Sequence, residues 1–157
     1  MRSLLAAAAI ALVLACPARS AAQTAADAAS VEAWLKGYDA AFMAKDLAKL
    51  ATFYHPDVTI YEGTGINNGW ADYRDRHLGP ELKAFENLQF GHTETKVTMM
   101  PGGESAYATS RYTIKAKMGE RELDSEGLET LVLVKTADGW KIRHSHTSSR
   151  ARRPNPQ

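Results

Sequence analysis

Cysteine is nearly absent from this sequence: Cys16 is the only one in 157 residues. A lone thiol makes no internal disulfide, so a cross-linked secreted scaffold is excluded. An excess of one charge is missing too. The 19 Lys and Arg offset the 18 Asp and Glu, leaving a formal net charge of +1. Such a chain lacks the cationic surface that general nucleic-acid binding requires. The apolar run from Leu4 to Ala15 is too short to span a bilayer. The glycine-rich stretch "EGTGINNG" carries no lysine and no phosphate-loop continuation, so it is not a nucleotide cradle. No internal repeat or low-complexity segment appears.

What is there begins with an export pattern. Arg2 precedes "LLAAAAIALVLA", which fits the apolar region of a secretory signal. Ser20 and Ala22 fit a small-x-small cleavage pattern, which places the mature start at Gln23. Residues 1–22 are then the signal and 23–29 a short linker. Loss of Arg2 and Arg19 takes the net charge from +1 to −1 (1 − 2) and leaves no cysteine for thiol catalysis. The alternative is a lipoprotein, because "LVLAC" resembles a bacterial lipobox with Cys16 as the lipidated residue. Pro17 directly after that cysteine favours soluble export. The expected location is secreted or periplasmic. At the other end Arg150, Arg152 and Arg153 make residues 150–157 a basic, solvated tail.

The first half is patterned for helices. Ser30 is the expected cap of a helix with Val31, Trp34, Leu35, Tyr38, Ala41 and Phe42 on one face. Asp46 caps a short second helix, and His55-Pro56-Asp57 reads as a turn. Val58 to Glu62 reads as a strand with Val58, Ile60 and Glu62 on one face. A third helix carries Trp70, Tyr73 and His77 on one side, with Pro80 interrupting or kinking it before "ELKAFENL" continues. The second half has period two. Strands are expected near His92–Met99, Ser105–Lys117, Arg121–Lys135 and Trp140–Ser149, with a bulge at Gly127. Helices followed by an antiparallel meander make an α+β protein. Leu128 to Val134 is apolar on both strand faces, which calls for a second copy of the chain as cover.

Residues 30–149 resemble the NTF2-like, or SnoaL-like, domain. "KDLAKLATFYHPDVTIYEG" is similar to the opening of that family and "DGWKIRHSHTSS" to its close. The resemblance implies a cone of three N-terminal helices packed on a curved, mainly antiparallel sheet. A fold of that kind holds isomerases, cyclases, dehydratases, hydrolases and hubs; the expectation here is a small-molecule pocket without a cofactor, in a homodimer joined over the two-sided apolar strand. The second half is similar to the association domain of calcium/calmodulin-dependent kinase II, through "SEGLET" and "HSHTS". The ketosteroid isomerases offer a comparison of sites. It lays an oxyanion-binding tyrosine on Tyr38, a proton-abstracting base on Glu62 and a third acid on Glu129.

Alternation carries Glu62 inward behind Val58 and Ile60. Burial would raise its pKa and suit it to proton transfer. Alternation from Trp140 and Ile142 likewise carries His144 and His146 inward. The expected catalytic set is therefore Tyr38, Glu62, Glu129, His144 and His146. Trp34, Trp70, Tyr73, His77 and Arg111 are expected as ligand-binding walls, with Arg111 able to hold a carboxylate. The competing readings are a core tyrosine at Tyr38, a solvated Glu62, and a Glu129 paired with Arg111 or a histidine. Two histidines at i and i+2 also suit zinc, but no third ligand at a fitting spacing is visible, so no metal is expected. Two functions remain open. One is a binding module for a small apolar or carboxylate-bearing molecule. The other is an acid–base isomerase, lyase or hydrolase.

Overall fold

The structure is a computed structural model in which residues 20–152 are described. The expected signal run, Cys16 and Arg153 lie outside them. Helix α1 spans Ala21–Met43, and the Ser20 hydroxyl caps it by accepting from the Gln23 N–H at 3.2 Å. The expected start at Ser30 is corrected. The alanine-rich "AAQTAADAA" has high helix propensity and no breaker, so the helix runs straight through that serine. Its buried face is Val31, Leu35, Tyr38, Ala41 and Phe42, at the spacing expected. Asp46 caps α2 (Leu47–Ala51) by accepting from the Lys49 N–H at 2.8 Å.

Strand β1 spans Tyr54–Glu62 and β2 spans Gly65–Asn68. Two segments expected as turn and loop are thus strand. Pro56 is tolerated because the β1 register breaks between Tyr54 and Thr59, where a missing N–H costs no ladder bond. The helical stretch after β2 has three parts. These are α3 (Trp70–Tyr73), a π turn (Arg74–Leu78) and α4 (Gly79–Ala84), with Pro80 in the first turn of α4. The helix stops at Ala84, short of the expected "ELKAFENL". Strand β3 (Glu86–Met99) takes over and buries Leu88.

Strands β4 (Ser105–Met118), β5 (Arg121–Thr136) and β6 (Gly139–Ala151) complete one six-stranded sheet of order β2-β1-β6-β5-β4-β3. Only the β1–β6 pair is parallel. The inner face and the helices close over a core that includes Val31, Leu50, Val58, Leu133 and Ile142. Two positions in β3 adopt left-handed backbone without glycine, Asn87 at φ 52° and Glu94 at φ 53°. Register shifts accompany both, and such bulges bend the strand around the helices.

The bulge expected at Gly127 is elsewhere. Pairing of β4 with β5 runs without a shift through Tyr112 and Gly127, whereas β5 and β6 slip between Val132 and Leu133. The extra residue is Arg143, between Ile142 and His144 in β6. Gly127 serves a different need, close approach. A Cβ there would overlap the Ser148 carbonyl oxygen and lie 2.6 Å from Cε1 of Tyr112. Gly127→Ala is therefore expected to destabilise the domain by about 1–3 kcal/mol, the usual scale of overpacking. Urea unfolding of the two chains checks this, and an unchanged midpoint would refute the packing argument.

Candidate functional site

One cavity of about 210 Å³ opens between the inner sheet face and the helices. Its walls are largely aromatic and aliphatic, with Phe42, Phe85, Phe90, Ile114 and Leu123 among them. Its polar lining includes Tyr38, Glu62, Tyr73, Glu81, His92, Tyr112, Glu129 and Thr147. Of the expected site residues, the structure brings Tyr38, Glu62, Tyr73 and Glu129 to this space. Trp34 does not line it but packs on Phe53, with ring centroids 5.0 Å apart. Trp70 is spent on stacking against Tyr54 at 4.7 Å. Arg111 is corrected outright. It lies on the outer sheet face, exposed, paired with Glu94 at 3.1 Å.

The histidine pair is the larger correction. Ile142 and Ser145 are both buried, 1 % and 5 % exposed, a spacing that unbroken alternation forbids. The extra residue at Arg143 flips every later side chain of β6, because strand period is two. Ser145, Thr147 and Ser149 therefore face inward, and His144 and His146 face outward. There His144 Nδ1 bonds the Thr59 hydroxyl at 2.7 Å, and both imidazoles contact the Tyr61 ring. Glu62 lies on the opposite face, so the histidine pair and Glu62 share no cavity. No cluster of three or more His, Cys, Asp or Glu suited to a metal occurs among the described residues.

A histidine that the sequence reading passed over takes the central place. His92 Nδ1 is 2.6 Å from Asp39 Oδ1, and its Nε2 is 2.7 Å from Glu129 Oε2. The His92 N–H also donates to Asp39 Oδ2 at 3.0 Å. Glu129 Oε1 accepts the Ser145 hydroxyl at 2.8 Å. An imidazole bonded to a carboxylate at each nitrogen donates twice and is a cation. Burial opposes that charge, but the bonds to Asp39 and Glu129 outweigh it and push the pKa up to about 9. Glu129 thus pairs with a histidine and not with Arg111. The available signal was Asp39, four residues after Leu35 and three before Phe42. An acid there sits at the border of a buried helix face, where a partner is required.

Beside the clamp, the Tyr38 and Tyr54 hydroxyls are 2.8 Å apart, and that of Tyr73 interacts with Tyr54. Burial pushes all three phenols well above their ordinary range, so they stay protonated. Glu62 differs from Glu129 in having no short partner. Burial raises its carboxyl, His77 opposes the rise, and Glu81 and Glu129 add to it.

This arrangement occurs in a recognised setting. The sequence profile of the SnoaL-like domain matches residues 31–152. The chain belongs to the SnoaL-like domain family. A proposed ketosteroid isomerase from Shewanella frigidimarina is 30% identical, with 78% of this chain and 94% of that one covered and a TM-score of 0.65. A proposed dehydratase of the NTF2-like family from Streptomyces avermitilis is 21% identical, covers 82% and 99%, and has a TM-score of 0.70. The calcium/calmodulin-dependent kinase II hub of S. rosetta is 21% identical, covers 78% and 96%, and has a TM-score of 0.62. No curated protein matches the chain. The fold is therefore the NTF2-like one expected, with a helix count differing only by the π turn that divides the third helix.

The clamp in this SnoaL-like domain has a pH signature. The folded pKa of His92 is raised from 6.5 to about 9. Its stabilising charge is therefore fully present below pH 6.5 and is lost as pH rises through about 9. Urea unfolding across that window is expected to show falling stability, by at most about 3 kcal/mol. His92→Gln should be less stable at neutral pH and should lack the fall. A fall of equal size in the variant would refute the assignment.

Proposed function

We propose that the cavity binds a small molecule with an apolar body and one carbonyl or hydroxyl oxygen, and that Glu62 moves a proton on it without a cofactor. The carrying observation is Glu62 itself. It lines the same cavity as Tyr38 and Glu129, its side chain is 43% exposed at the mouth, its partial burial still raises its pKa, and no short hydrogen bond holds it. A carboxylate raised above its ordinary range is a stronger base and is better suited to abstracting a weakly acidic proton. Tyr38 supplies the complementary group. The Tyr38 and Tyr54 hydroxyls share one hydrogen bond of 2.8 Å, and when Tyr54 donates in it the Tyr38 proton is left for the ligand oxygen. His92 and Glu129 hold each other and shape the floor. The histidine pair first considered for this chemistry plays no part in the proposal, since it faces away.

A carboxylate-bearing ligand loses its support once Arg111 lies outside. The lining carries Glu62, Glu81 and Glu129 against His92 and the rim residue Arg121, which favours a neutral molecule. The relative named as a ketosteroid isomerase is consistent with proton abstraction beside a carbonyl. The second reading is a binding module without catalysis. It is favoured by the closed Asp39–His92–Glu129–Ser145 chain, which has no free acid or base.

Solvent deuterium exchange into bound enolisable ketones, read by mass spectrometry, separates the two. Glu62→Gln is expected to slow exchange on the order of a hundredfold with binding retained, the scale of a lost general base. Binding of a ketone without exchange in the unaltered chain would give the module reading the field.

We also propose that a second copy covers the outer sheet face. Tyr61, Tyr107, Leu128 and Val132 share that face and stay 38–53% exposed. Light scattering at micromolar concentration is expected to show a dimer, and Leu128→Glu a monomer. A monomeric unaltered chain would overturn this.

A further inference from the structure

His77 was expected as a pocket wall, yet it sits behind the rim, between two carboxylates. Its Nε2 is 3.5 Å from Glu62 Oε2 and 3.5 Å from Glu81 Oε1. The π turn that carries it depends on Gly79, whose N–H bonds the Arg74 carbonyl and whose Cβ would lie 2.5 Å from that oxygen. Such single wide turns recur where a helix must re-aim a side chain.

A hydrogen-bond chain fixes the state of this ring. Asp72 Oδ2 accepts from the Asn68 N–H and from Asn67 Nδ2, each at 3.0 Å. Those bonds, the Asn67 amide first, hold the Asp72 carboxyl below its ordinary range, so it only accepts. Asn67 must therefore point its amino group at Asp72 and its oxygen at His77. That oxygen is 2.9 Å from His77 Nδ1 and cannot donate. The proton of neutral His77 is thereby placed on Nδ1, and Nε2 is left as the nitrogen that gains and loses a proton. It is this nitrogen that faces Glu62.

We propose that His77 is the proton-exchange partner of Glu62 at the rim, where the Glu62 side chain is 43% and the His77 side chain 24% exposed, taking its proton faster than water does because the imidazole is the stronger base. The inference rests on Glu62 acting as base. The ligand C–H or O–H bond breaks and its proton joins a Glu62 oxygen. That O–H bond then breaks as an N–H bond forms at His77 Nε2, which restores the Glu62 carboxylate and leaves His77 a cation. The cation is held by Glu81 and passes the proton to water. The two 3.5 Å gaps close to hydrogen-bond length by small side-chain rotation. The direction follows from basicity, since imidazole is a stronger base than a carboxylate. His92 cannot serve in this way, because contacts of 2.6 and 2.7 Å lock both its nitrogens. The groups facing His77 are Glu62 from β1, Asn67 from β2, Tyr73 from α3 and Glu81 from α4. The Glu81 hydrogen bond raises the His77 pKa, burial lowers it, and the Glu62 charge raises it again.

Nitrogen-15 and proton NMR on the histidine-labelled chain tests the inference, with the His92 signals as the check that each variant is folded. Neutral His77 is expected as the Nδ1–H tautomer, and Asn67→Leu should release it toward Nε2–H. Glu62→Gln should lower the proton affinity of His77 about tenfold. An Nε2–H ring in the unaltered chain, or a titration indifferent to Glu62→Gln, overturns the proposal. Deuterium exchange on a bound ketone adds a second arm. His77→Gln should slow it about tenfold with ketone affinity unchanged. Full-speed exchange in His77→Gln beside slow exchange in Glu62→Gln removes the relay and keeps the base. Full-speed exchange in Glu62→Gln removes both.

Discussion

The structure turns on one buried cation. His92 stands between Asp39 of α1 and Glu129 of β5, with Ser145 of β6 completing the chain. Neither the imidazole, 9% exposed at its side chain, nor the Glu129 carboxylate, 11% exposed, would be tolerated alone in that place. Together they tie the long helix to β3, β5 and β6 at fixed distances. His92 and Glu129 form part of the cavity wall, beside Tyr38. A buried pair of this kind is weak evidence for stability but a strong constraint on geometry, because breaking one partner strands the other.

Two histidines show how partner distance separates roles. His92 is gripped at both nitrogens and keeps its proton through the neutral range. His77 is fixed at Nδ1 only, with two carboxylates at a looser 3.5 Å from Nε2. The same ring is a strut in one place and an exchangeable acid–base group in the other. Glu62 and Glu129 divide in parallel, one loosely held and one bonded at both oxygens.

Burial on one face of the sheet sets the character of the other. Leu131 and Leu133 enter the core while Leu128 and Val132, on the same strand, stay on the outer face. There they lie beside Tyr61 and Tyr107, and His144 and His146 share that surface. The apolar doubling of β5 is thus explained by two surfaces, the core and a face without cover inside a single chain.

Local pattern alone determined the order of the helices and of the long strands and the approximate limits of β4, β5 and β6, while β2 and the starts of β1 and β3 escaped it. Period and capping are properties of neighbours in the chain, as the Asp46 cap and the β4 alternation show. The resemblance of "KDLAKLATFYHPDVTIYEG" and "DGWKIRHSHTSS" added the family, and strand alternation from Val58 through Ile60 pointed Glu62 to the sheet face on which it lines the cavity. Only the tertiary structure decided which histidines serve the cavity. One extra residue at Arg143 exported His144 and His146, and nothing in "GWKIRHSHTSS" marks it, because a bulge is set by pairing with β5 and β1. Contacts distant in sequence likewise chose His92, joined to Asp39 across 53 positions and to Glu129 across 37. A partner that far along the chain leaves no periodic trace, so sequence could demand a counter-charge for a buried acid but could not say which residue supplies it.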